Sequence, residues 1–171
     1  VNAAFALCVV ADECEALNWA EEIWEWANQE HLQLNERNYG DYLVVLEAYT
    51  LHDRVDKLIY KFANCISHAV LGKMMNAAAS RYDWQRVEAL WDKVVNKLGV
   101  KPTAVEFTVR SKAHVLCGRP MVATQILDES FRAGLKKSIY SMKDYVQALL
   151  LVCHSSPTPA NISRLQTTLK A

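Results

Sequence analysis

Apolar residues recur at helical spacing along most of the chain, broken at intervals by turn-forming residues. Between Ala104 and Ser138, Val105, Phe107, Val109, Ala113 and Leu116 fall near helical spacing. Gly118-Arg119-Pro120 interrupts that set. A second set follows at Val122, Ala123, Ile126, Leu127 and Phe131, and Gly134 stands where a helix C-cap belongs. The preceding stretch repeats the pattern. Leu71, Met74, Met75 and Ala78 predict one helix, Tyr82-Asp83 a turn, and Trp84, Val87, Leu90, Trp91, Val94 and Val95 a second helix. Proline cannot continue a helix and drives the residue before it toward extended backbone, so Lys97 to Thr103, with Pro102, reads as a loop.

The turn-and-second-helix phrase recurs from Trp19, Val55, Trp84 and Met121, which lie 36, 29 and 37 residues apart. A period of that size signals a helical-repeat array, in which each helix pair buries its open face only by stacking on a neighbour. The expected fold is all-α, a single α-solenoid domain over 1–171 built of about five antiparallel helix-turn-helix repeats. Their expected limits are 1–35, 36–67, 68–103, 104–138 and an incomplete 139–171. Five glycines and four prolines in 171 residues leave long uninterrupted stretches, which favours helices over many short strands.

Asp83-Trp84, Leu90-Trp91 and Gly99-Val100-Lys101-Pro102-Thr103 resemble the second half of a pentatricopeptide repeat, with its D-W block and its G-(V/I)-K-P-(D/T) ending. Ala104 to Ser138 spans that family's standard length of 35 residues, and Val45-Leu46-Glu47-Ala48-Tyr49 is similar to its first-helix phrase L-I-D-A-Y. Tetratricopeptide-like repeats are the competing resemblance. Either implies a right-handed superhelix. The pentatricopeptide resemblance further implies a non-enzymatic organellar protein, mitochondrial or plastid, that binds single-stranded RNA along its first helices, one base per repeat. Transferred to this sequence, the base-reading positions are Thr108 and Ser138 in one unit and Gly72 and Thr103 in the unit before it. The final unit offers Lys143, and the second unit Gly40 or Leu43. One turn further along the first helices runs a polar stripe, Glu47, Asn76, Lys112 and Gln147, expected to face water or a ligand. The candidate RNA-binding residues are therefore Thr108, Ser138, Lys112, Lys143, Asn76 and Thr103.

Charge changes this picture more than composition does. Lys+Arg and Asp+Glu both number 19, but the five units carry net charges of −7, −1, +3, +3 and +2. The first 35 residues contain no Lys or Arg at all. Arg81, Arg86, Lys93, Lys97, Lys101, Arg110, Lys112, Arg119, Arg132, Lys136 and Lys137 give the later units a field able to meet phosphates. A polarised chain equally suits docking between protein subunits of a larger assembly. Both readings of the partner, RNA or protein, remain open at the level of sequence.

Catalytic chemistry finds little support. The five histidines are scattered, Cys8, Cys14, Cys65, Cys117 and Cys153 form no C-x-x-C pair, and no phosphate-binding or nucleophile-elbow motif occurs. No metal, cofactor or small-molecule substrate is expected, and the cysteines are expected as free thiols of a reducing compartment. The acidic pairs Asp12-Glu13 and Glu21-Glu22 read as a solvated helix face, and the tryptophans, mostly at second-helix positions, as core. No apolar run approaches the roughly 20 residues of a membrane span. The chain starts at Val1 without Met, so a targeting segment is expected to lie outside it.

Overall fold

A computed structural model describes residues 2–10, 15–136 and 138–170. The described residues form ten α-helices and no strand, so the all-α expectation holds. They are α1 (Asn2–Val10), α2 (Ala16–Gln29), α3 (Glu36–Ala48), α4 (His52–Lys61), α5 (His68–Ser80), α6 (Trp84–Trp91), α7 (Ala104–Leu116), α8 (Pro120–Arg132), α9 (Ile139–Ser155) and α10 (Pro159–Lys170). A 3₁₀ turn at Ala63–Cys65 follows α4, and a π-helical segment at Asp92–Lys97 prolongs α6. Asp12, Glu13, Cys14 and Lys137 lie outside the described residues. The chain separates into two compact units, one of Val1–Ala77 and Leu90–Val100, the other of Ala78–Ala89 and Lys101–Ala171.

Local chemistry explains where these helices start. Asn35, Thr103 and Ser138 each cap a helix in a reciprocal capping box, with Asn38, Glu106 and Ser141 as third-residue partners. The Ser67 hydroxyl accepts from the Val70 amide in the same way at the start of α5. The four caps sit 32, 36 and 35 residues apart, and each opens the first helix of a pair.

Helix ends follow one motif too. The Gly118 amide donates to Val115 O and the Arg119 amide to His114 O, and Gly134 and Leu135 repeat this on Phe131 and Ser130. Both glycines hold positive φ, 69° and 78°, which only a residue without a side chain adopts at no steric cost. His31, Thr50 and Tyr82 take the same conformation after α2, α3 and α5, where an L side chain is strained.

In the first unit α3 is the central element. Every residue from Gly40 to Glu47 is buried, because α1, α2 and α4 pack around it. Gly40 is there because nothing larger fits. A Cβ on it would come within 2.4 Å of Val70 Cγ2 on α5. Trp24 of α2 stacks on Tyr42 at 4.2 Å and 9°, and Phe5 of α1 meets the same ring at a tilt, 5.7 Å between centroids. In the second unit Leu127, Tyr145 and Leu149 form a core cluster against which Phe131 and Leu165 pack.

Ion pairs join the second helices of neighbouring pairs. Glu21 of α2 receives two hydrogen bonds from Arg54 of α4, at 2.6 and 2.8 Å. Asp56 of α4 pairs with Lys93 of the π segment, and Asp128 of α8 with Arg164 of α10. The partners are 33, 37 and 36 residues apart. Tyr42 and Tyr145, from the intervening first helices, donate their hydroxyls to the same carboxylates.

Candidate ligand-binding face

Lys112 and Lys143, two of the exposed predicted site residues, lie in the second unit on the outer faces of α7 and α9. The buried stripe of α7 is Phe107, Ser111 and His114, at i, i+4 and i+7. Val105, Lys112 and Leu116 lie on the opposite stripe and are exposed. The sequence reading merged these two stripes, because Val105 and Leu116 are apolar while two inward positions are polar. Ser111 satisfies its hydroxyl on Ala123 O at 3.2 Å, and His114 Nε2 lies 2.8 Å from Glu88 Oε1.

On α9 the exposed stripe runs Tyr140, Lys143, Gln147 and Leu150–Leu151. Ile139 is 87% and Tyr140 79% exposed, at the first turn of the helix. Between the two helices lies a small cleft of about 100 Å3 lined by Ser111, Lys112, Val115, Leu116, Asp144 and Gln147. Burial pushes the Asp144 carboxyl above its usual range, against the opposing pull of Lys112 and Lys143. The three groups make the cleft rim a mixed-charge site.

The six predicted residues divide sharply. Lys112 and Lys143 are exposed and act on the same carboxylate, Asp144. Asn76 is exposed on α5, in the other unit. The remaining three are engaged locally. The Thr108 hydroxyl donates to Ala104 O at 2.8 Å, the Thr103 side chain caps α7, and the Ser138 side chain caps α9. Gly40 and Leu43, the alternative second-unit positions, are both buried.

Glu47 departs from the polar stripe expected to face water or a ligand. It is fully buried, 3.4 Å from His52 Nε2, because α3 is covered all round. Trp19 and Trp26 correct the core expectation for tryptophan in the opposite sense, being 39% and 50% exposed.

Much of the later positive charge is also committed within the fold. Arg110 grips Glu88 through Nε and a terminal nitrogen at 2.8 and 2.7 Å, Lys97 pairs with Asp92 at 2.9 Å, and Arg119 lies 3.7 Å over the Trp84 ring. Arg86 is buried. Lys101, Lys112, Lys136 and Lys143 remain exposed and make no close ion pair among the described residues. The usable field is smaller than the count of cations implies, because Arg110 is paired with a carboxylate 22 positions away that local sequence does not reveal.

No group of His, Cys, Asp or Glu among the described residues is arranged to hold a metal, and Cys8, Cys65, Cys117 and Cys153 are free thiols. No described helix is long and apolar enough to cross a membrane. No family model matches the chain, and no curated protein matches it either.

Proposed function

We propose that this chain is a non-enzymatic helical-repeat protein of pentatricopeptide type whose α7–α9 face holds a protein partner within a larger organellar assembly. The observation that carries this reading is the apolar character of that face. Val105 and Leu116 of α7 and Ile139, Tyr140, Leu150 and Leu151 of α9 are exposed, and Leu116 lines the cleft between the two helices beside Lys112. Aromatic and aliphatic anchors with a few charges at the rim are the make-up of protein interfaces. Phosphate capture draws instead on several uncommitted Lys and Arg, whereas Lys93, Lys97, Arg110 and Arg164 are held in ion pairs here. The repeat reading draws support from the helix caps and ion pairs that return every 32 to 37 residues.

Single-stranded RNA is the second reading, favoured by Tyr140 standing one turn before Lys143, a stacking ring beside a cation. Two measurements separate them. A photo-crosslinking residue at position 140 should capture a discrete protein neighbour in the native assembly. Filter binding to single-stranded RNA at low and moderate salt should show no affinity that depends on Lys112 and Lys143. Salt-dependent RNA binding that Lys112→Glu with Lys143→Glu abolishes, without a protein crosslink, overturns the first reading and establishes the second.

A further inference from the structure

We infer that the outward face of α2 is a docking surface for a Lys/Arg-rich segment of a partner protein. The helix is divided cleanly. Its inner stripe is small, with Ala16, Ala20 and Ala27 buried. Its outer stripe runs Glu15, Trp19, Glu22 and Trp26, at i, i+4, i+7 and i+11, and all four are exposed. Glu25 and Glu30 flank it, also exposed.

The same helix shows what a structural tryptophan does here. Trp24 stacks on Tyr42 and meets Tyr39 and Phe62 edge-on, whereas Trp19 and Trp26 make no ring contact among the described residues. Tryptophan is the largest apolar surface a chain can leave in water, and association would bury the two that stand two turns apart on this stripe, with Glu22 between them.

Charge chooses the occupant. Seven carboxylates and no Lys or Arg lie in the first 35 residues. Of these, Glu21 turns inward and is neutralised by Arg54. Glu15, Glu22, Glu25 and Glu30 make no ion pair among the described residues and stand beside the indoles. Carboxylates alternating with indole faces recognise a cation twice, by ion pairing and by attraction to the ring face. The same field repels phosphates, so nucleic acid does not fit this face. A Lys/Arg-rich helix laying its apolar side along Trp19 and Trp26 does fit it. This inference does not rest on the α7–α9 proposal, since the face differs in position, chemistry and sign of charge.

The test uses the full chain and a fluorescently labelled amphipathic leucine–lysine peptide, with the matching leucine–glutamate peptide as control. The lysine peptide should bind with an affinity that falls as salt rises, and the glutamate peptide should not bind. Trp19→Ala with Trp26→Ala keeps the charge and should weaken binding by about tenfold or more. Glu22→Gln with Glu25→Gln should flatten the salt dependence, while Lys112→Glu with Lys143→Glu should leave binding unimpaired. Hydrogen exchange of the unmodified chain with the peptide should show protection over residues 15–30, which keeps the test valid if a variant misfolds. Failure to bind the lysine peptide at low salt, undiminished binding in a folded double tryptophan variant, or protection confined to other helices would each overturn the inference.

Discussion

Replacing Glu88 by Gln should weaken the second unit in a strongly pH-dependent way. Glu88 of α6 faces two residues of α7, accepting two hydrogen bonds from Arg110 and lying 2.8 Å from His114 Nε2. Burial alone would raise its carboxyl, but the hydrogen bonds from His114 and Arg110, with the Arg110 charge, outweigh it and hold the group at about 2 against an ordinary 4.5. A gap of that size corresponds to about 3 kcal/mol at neutral pH, and the partial exposure of the carboxylate reduces the expected loss to about 2 kcal/mol.

The sign follows from the depressed value. The ionised carboxylate stabilises the native chain fully above about 4.5, and that contribution disappears as pH falls toward about 2. The Gln variant lacks it at every pH. Urea unfolding followed by far-UV circular dichroism should therefore give a gap of about 2 kcal/mol at neutral pH that closes progressively below about pH 4.5. Equal stabilities at neutral pH, or a gap unchanged down to about pH 3, would refute the reasoning.

Three further outcomes are expected. Gly40→Ala should destabilise by about 1–3 kcal/mol despite the helix-propensity gain, because its Cβ meets Val70, whose branched side chain moves away only into a disfavoured rotamer. Adding Val70→Ala should recover most of the loss in thermal melts, and a lone Gly40→Ala variant as stable as the parent would show that α3 and α5 have room to part. Thr50→Gly removes a β-branched residue from positive φ after α3 and should stabilise by up to about 1 kcal/mol once the extra freedom of the unfolded chain is subtracted, read from urea midpoints. Arg164→Ala should loosen α10, which has no buried residue and is held by the Arg164 bonds to Asp128 and Tyr145 together with the packing of Leu165. Amide exchange over residues 159–170 should then accelerate by about ten- to a hundredfold with the rest of the second unit unchanged.

Some of this was legible in the chain alone. Helical spacing, the Gly118-Arg119-Pro120 break, the Tyr82-Asp83 turn and the Lys97–Thr103 loop locate helices and their ends, because caps and turns are decided by residues within four positions of one another. The capping residues Asn35, Ser67, Thr103 and Ser138 act over equally short distances, yet the sequence pattern marks none of them as a cap and offers Thr103 and Ser138 as RNA-contacting side chains instead. Tertiary structure alone decided which stripe of each helix turns inward. It buried Glu47 and exposed Val105, Tyr140, Trp19 and Trp26, because a periodic pattern allows more than one face and only the neighbouring helices choose between them. It also decided which charges remain available, since Arg110, Lys93 and Arg164 meet carboxylates 22 to 37 residues away.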